Sequence, residues 1–276
     1  MIRKKQPLFV HPNRPLAQFT DVLHEVWQLP VLEDKRGQHI EAHYEFNGQI
    51  CTLRCYSRVI RAGVDSGPVM LYFPWYGGKS TQLYKLFNVA KGWRCVGIDV
   101  FSTREDFRAI LSSALGSQYA YALAMRMTAE QIHAVHNAHK RVGAIGFSFG
   151  ANVLSAYVSQ GLELPDAVVS IEGGDILETA LQTKYRKHDV DPQTLAVLNR
   201  EPGILPIQKP ITGKAASLSA AVINDTDTIV LGQSALWGNA AHKMHISGRH
   251  FRTPFLKQAK IRLFIRNHCE ELLVGY

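Results

Sequence analysis

Apolar and polar positions change rhythm several times along the chain, and each change marks an element. From Ile40 to Arg58, apolar residues alternate with polar ones on either side of Asn47-Gly48. Period-two alternation marks half-buried strands, and Asn-Gly tolerates the positive φ of a tight turn. The segment is predicted to be an antiparallel hairpin. Short strand-like runs follow at Val69–Phe73, Arg94–Val100, Val142–Gly146, Ala167–Ile171, Ser219–Ile223 and His242–Ile246. Between them lie segments of helical spacing. One runs from Ser80, a candidate cap, to Ala90; others cover Gln118–His139 and Ala151–Ser159. Further helices are expected over residues 16–28 and, closing the chain, over Phe255–Leu273. Strands that alternate with helices need both sheet faces covered. The pattern therefore predicts an α/β fold: a mostly parallel central sheet with an N-terminal antiparallel hairpin and helices on both faces.

Residues 174–218 interrupt this alternation. Asp175 can cap one helix and Asp191-Pro192 another, and Pro202, Pro206 and Pro210 follow. The segment is expected to form either a small lid-like insertion over a site or a surface excursion packed on the sheet. Residues 1–39 are expected to be an N-terminal extension packed on one domain spanning 40–276. A chain of 276 residues can build a single large core.

Composition narrows the class. A hydrophobic share of 46% and a charged share of 20% suit a soluble globular protein. No run nears the roughly 20 apolar residues of a membrane helix, so no membrane insertion is expected. The formal charge is +8, but the basic residues are scattered and no nucleic-acid motif accompanies them. Nucleic acid is therefore not an expected partner. No apolar run or cleavage site follows the basic N-terminus, so no secretory leader is expected. Cys51, Cys55, Cys95 and Cys269 include no C-x-x-C pair. On a strand Cys51 and Cys55 would lie about 13 Å apart, too far for a disulfide. A reducing cytoplasmic location fits best. His133, His136 and His139 recur every three residues on a predicted helix with no evident carboxylate beside them. They read as a solvated stripe, and no metal is expected.

The sharpest chemical signal is Gly146-Phe147-Ser148-Phe149-Gly150, at the end of an apolar strand and the start of a helix. A chain that turns from strand to helix within a residue or two puts a serine on a strained tip. Small residues two positions to either side let strand and helix approach. A serine hydroxyl needs an adjacent base to attack a carbonyl at neutral pH, and that base needs an orienting acid. The turn Asn224-Asp225-Thr226-Asp227 and the loop Gly248-Arg249-His250-Phe251 follow the last two predicted strands. They offer both groups in the order serine, acid, histidine.

These segments together resemble the α/β-hydrolase superfamily, over roughly residues 40 to 275. The elbow is similar to those of its dienelactone-hydrolase and small-esterase branches. The resemblance implies a triad of Ser148 as nucleophile, His250 as base and Asp227 as acid. Asp225 would be a turn residue, and Asp175, after an earlier strand, is a further candidate acid. The family's oxyanion loop is matched by Phe73-Pro74-Trp75-Tyr76-Gly77-Gly78, with Pro74-Trp75 replacing His-Gly. Backbone N–H donors are expected from Phe149 and Tyr76, with Trp75 as the alternative to Tyr76. The Trp75 side chain can line a substrate pocket or simply pack, and Arg104 is a candidate for an anionic substrate group. The implied activity is a serine hydrolase that cleaves a carboxylic ester of a small soluble substrate, without cofactor. The alternatives are a thioesterase or amidase with the same triad, or a non-catalytic binding protein on this fold.

Overall fold

A computed structural model of the chain describes residues 18–46, 49–100, 114–175, 206, 208–250 and 252–274. The turn at Asn47-Gly48, Arg104, the Asp191-Pro192 cap and most of the 174–218 segment lie outside the described residues. A single nine-stranded sheet runs in the order β1-β2-β3-β5-β4-β6-β7-β8-β9. The strands are β1 Leu32–Asp34, β2 Gly37–Phe46, β3 Gln49–Arg61, β4 Val69–Phe73, β5 Arg94–Asp99, β6 Val142–Phe147, β7 Ala167–Ile171, β8 Ser219–Asn224 and β9 His242–Ile246. The first three are antiparallel, and β3 joins the rest by an antiparallel pairing with β5, Tyr56 opposite Asp99. From β5 to β9 every pairing is parallel. The α/β architecture expected from the alternation is thus the one observed.

The described helices are α1 Phe19–Trp27, α2 Ser80–Leu86, α3 Ala114–Asn137, α4 Phe149–Ser159, α5 Gly213–Ser217, α6 Gln233–Trp237, α7 Arg252–Leu256 and α8 Gln258–Leu273. None of the described helices is long and apolar enough to cross a membrane. The sheet separates two cores, and β4 shows how the strand period feeds both. Val69, Leu71 and Phe73 join one core with Leu123, Leu154 and Tyr157. Met70 and Tyr72 join the other with Leu83, Phe87, Ile261 and Ile265. Each such burial contributes about 1.5–3 kcal/mol relative to exposure, so the sheet is clamped from both sides. Its strand ends become fixed platforms. α1 adds Phe19, Val22 and Val26 to the first core, and Tyr119 Oη donates to Glu25 across α1 and α3 at 2.9 Å.

Local departures from the expected pattern have physical causes. Ser80 is the first helical residue rather than the cap, because Asp99 takes both its N–H, at 2.7 Å, and its hydroxyl, at 2.9 Å. The closing helix is two helices, broken at Lys257 with φ −98° and ψ 14°. β1, α5 and α6 are too short to leave a periodic signal.

Strand order positions the site. β4 has β5 on one side and β6 on the other, so successive crossovers leave it in opposite directions. Ligand sites of open α/β sheets lie at the carboxyl ends of strands around such a reversal. The register brings Phe73 beside Gly146, Phe147 beside Ile171 and Ile171 beside Val222, so the segments after β4, β6, β7 and β8 emerge along one rim.

Candidate active site

Ser148 links β6 to α4 with φ 53° and ψ −112°, a conformation that side-chain-bearing residues rarely adopt. Three hydrogen bonds hold it: Ser148 N–H to Ile171 O at 2.9 Å, Asn152 N–H to Ser148 O at 2.9 Å, and Gly150 N–H to Pro74 O at 3.1 Å. The two glycines are sterically required. A Cβ on Gly146 would lie 2.5 Å from Gly150 O and 2.6 Å from Ala151 N. One on Gly150 would lie 2.5 Å from the Phe73 carbonyl carbon and 2.6 Å from its Cβ. The elbow therefore presses against both its own helix and the end of β4, and the serine is left at the rim.

The rim brings the three predicted side chains together. Ser148 Oγ lies 3.0 Å from His250 Nε2, and His250 Nδ1 lies 2.6 Å from Asp227 Oδ2. Asp227 is locked in turn: its Oδ1 accepts the N–H groups of Ile229 at 2.8 Å and Val230 at 3.2 Å, and its Oδ2 accepts Gln233 Nε2 at 2.8 Å. Gln233 also accepts the Asn224 N–H at 2.9 Å, which ties the acid's turn to the end of β8. Asp225 turns the other way and pairs with the exposed His245 at 2.9 Å.

One residue escaped the reading of the sequence. Glu172, directly after β7, puts Oε2 2.9 Å from the same His250 Nδ1, and both side chains are at most 1% exposed. Its φ of 50° is again positive, and Asn224 Nδ2 donates to its other oxygen at 2.6 Å. The available signal was its place at a strand end, the criterion that singled out Asp175 three residues later. Asp175 itself donates its N–H to Leu231 O at 2.9 Å. Burial by itself would depress the His250 imidazole, but the hydrogen bonds and charges of Asp227 and Glu172 outweigh it and raise the group to about 9. The resting imidazole therefore holds its proton at neutral pH, and the base form grows as pH rises through about 9. Among the described residues, only Glu172, Asp227 and His250 bring three potential ligand atoms within 4.8 Å of one another. Both carboxylates meet the imidazole at Nδ1.

The loop after β4, matched to the family's oxyanion loop in the sequence, is a tight turn. Gly78 N–H donates to Trp75 O at 2.9 Å, and Gly77 has φ 70°. The Tyr76 ring packs on Phe149, centroids 4.8 Å apart, so the loop sits against the start of α4, whose first N–H groups have no intrahelical acceptor. Trp75 packs on Phe147 at 5.5 Å and Phe255 at 6.1 Å and covers Gly78. The histidine stripe of α3 does meet carboxylates: His136 Nδ1 lies 2.6 Å from Glu163 and Nε2 3.2 Å from Asp166, both after α4.

The same architecture recurs in solved structures. 2,6-Dihydroxy-pseudo-oxynicotine hydrolase matches with a TM-score of 0.55 at 14% identity, covering 85% of this chain and 68% of that one. A prolyl endopeptidase matches with a TM-score of 0.53 at 15% identity, over 87% of this chain and 39% of its own. Est1E from Butyrivibrio proteoclasticus matches with a TM-score of 0.50 at 10% identity, over 83% of this chain and 98% of its own.

The chain has the α/β-hydrolase fold.

No protein-family model matches the sequence, and neither does a curated protein sequence. The likeness therefore lies in backbone arrangement. Within the α/β-hydrolase fold, Ser148, Asp227 and His250 follow β6, β8 and β9, and Glu172 follows β7.

Proposed function

We propose that the chain is a serine hydrolase that cleaves a carboxylic ester of a small soluble substrate through an acyl-enzyme on Ser148. The observation that carries this reading is the 3.0 Å contact between Ser148 Oγ, on a strained elbow, and His250 Nε2. One of the solved structures that share its fold is a hydrolase. In the first step Ser148 Oγ bonds to the acyl carbon while His250 Nε2 takes the hydroxyl proton. Negative charge collects on the carbonyl oxygen, where the N–H groups of Phe149 and Tyr76 are the proposed donors. His250 then gives its proton to the departing alkoxide oxygen, the acyl–oxygen bond breaks, and the alcohol leaves. Water deprotonated by His250 attacks the acyl-serine, releasing the carboxylic acid and restoring Ser148. Asp227 keeps Nδ1 protonated, so that Nε2 faces the serine, and stabilises the cation formed in each half-reaction.

The packed aromatic group Trp75, Phe147 and Phe255 lies on the His250 side of the elbow, with Phe147 6.2 Å from the His250 ring. That supports Trp75 as one wall of an apolar substrate pocket. Arg104 remains the proposed contact for an anionic substrate group.

Rapid mixing with a 4-nitrophenyl ester tests the two-step course. An initial burst of nitrophenol equal to the enzyme concentration is expected, with a rate that rises with pH through about 9 as His250 loses its proton. A folded protein that releases no nitrophenol above the His250→Ala background at pH 9.5 would leave the binding-protein reading in its place.

A further inference from the structure

Two carboxylates converge on one nitrogen. Imidazole Nδ1 carries a single proton, yet Asp227 Oδ2 at 2.6 Å and Glu172 Oε2 at 2.9 Å both accept it. They arrive from different strands, and each has its own hydrogen bonds. Asp227 hangs on the Ile229 and Val230 N–H groups and on Gln233 after β8. Glu172 is fixed after β7 by its own N–H on Val222 O at 2.9 Å and by Asn224 Nδ2 on Oε1 at 2.6 Å. Asn224 thus spans both turns.

We propose that Glu172 is a second acid of this site: a positioning residue that holds the His250 Nδ1–H beside Asp227 and takes over when Asp227 is removed. The inference rests on the Ser148–His250 reading above. Three observations favour it over a purely structural carboxylate. First, Glu172 Oε1 accepts from Asn224 Nδ2, while Oε2 is turned to the imidazole. Second, the residue holds a positive φ at full burial, and such strain persists where surrounding structure enforces it, as it does at the elbow. Third, both carboxylates converge on one nitrogen, Asp227 Oδ2 at 2.6 Å and Glu172 Oε2 at 2.9 Å, and His250 is a group in contact with both that can place an N–H between them.

The consequence is that the proton on His250 Nδ1 is held between two carboxylates. Among the described residues, three groups are seen to approach the His250 ring nitrogens. Ser148 Oγ approaches from the elbow, Glu172 from the end of β7 and Asp227 from the β8 turn. Half-buried Asp175 lies three residues beyond Glu172, and Arg249 and Arg252, on His250's own segment, are exposed. The Asp225–His245 pair lies outside, exposed on both sides. Either carboxylate alone can fix the Nδ1–H tautomer that leaves Nε2 free to accept the serine proton.

Two measurements on the full-length protein test this. The first is a double-mutant cycle on kcat for an activated ester. Asp227→Asn alone is expected to lose about 10–100-fold, and Glu172→Gln similarly little, whereas the double variant falls by about 10⁴-fold, the loss that follows when no acid fixes the tautomer. The second follows the His250 ring by 15N NMR against pH, assigned with His250→Ala. Glu172→Gln is expected to lower the midpoint by about one pH unit or more, while Glu172→Asp, which keeps the charge but draws it back, gives a smaller fall. A structural role alone would not produce that graded order. The proposal is overturned if Asp227→Asn by itself falls as far as the double variant, or if neither Glu172 variant moves the His250 midpoint. Absence of ester turnover in the unaltered protein would count against the serine-hydrolase reading, while the NMR titration still decides the role of Glu172.

Discussion

Replacing Ser148 with alanine is expected to lower kcat by about 10⁶-fold, with KM changed only a few-fold. The hydroxyl is the atom that bonds to the acyl carbon, so its loss removes the covalent route and leaves only binding and oxyanion stabilisation. Folding should be nearly unaffected. The Oγ–His250 contact is a side-chain contact, whereas the elbow is held by the backbone bonds of Ser148, Gly150 and Asn152. His250→Ala is expected to cost a similar factor, and the double variant scarcely more than either alone, because serine and base act as a unit. Steady-state kinetics on one ester series, with denaturation curves for each variant, checks both statements. A residual rate for Ser148→Ala within about 100-fold of the unaltered protein would remove serine from the mechanism.

The largest expected effect on stability is at Gly150. In an ordinary helix, alanine in place of glycine gains about 1 kcal/mol from reduced backbone freedom. Here the added Cβ would meet the Phe73 carbonyl carbon at 2.5 Å and the Phe73 Cβ at 2.6 Å. Phe73 ends β4, which is paired on both sides, and it is buried in the core, so it has little room to withdraw. Gly150→Ala is expected to destabilise the protein by about 2–3 kcal/mol, at the upper end of overpacking costs, and to reduce activity by tilting the elbow. Urea unfolding should show a lower midpoint at unchanged slope. An unchanged or raised midpoint would show that β4 and α4 can part without cost, and the steric account of the motif would fail.

The legible parts of this molecule were those in which one residue type answers a local backbone demand. Gly146 and Gly150 are legible because strand and helix nearly touch there, and Ser148 because it stands between them. The hairpin and the parallel strands were legible because pleat and helix turn impose different periods on the apolar residues. Asp227 was reached through the likeness of its turn to a family pattern. Its place against His250 then depends on Gln233, a residue of a five-residue helix that leaves no periodic trace. Glu172 was missed for a different reason. Its sequence neighbourhood, Ser170-Ile171-Glu172-Gly173, reads as any strand end, and its significance arises only when β7 and β8 lie side by side and deliver two acids to one ring. The carboxylates around His136 were hidden likewise, since Glu163 and Asp166 lie 27 and 30 residues further along the chain.

The central claim, that Ser148 is a nucleophile activated by His250, is tested most directly by treating the purified protein with a fluorophosphonate at pH 9 and measuring its intact mass and peptide map. One phosphonyl group per chain, located on Ser148 and absent from His250→Ala, is the expected result. A folded protein that gains no such mass, or that carries the label elsewhere with Ser148 unmodified, would contradict it.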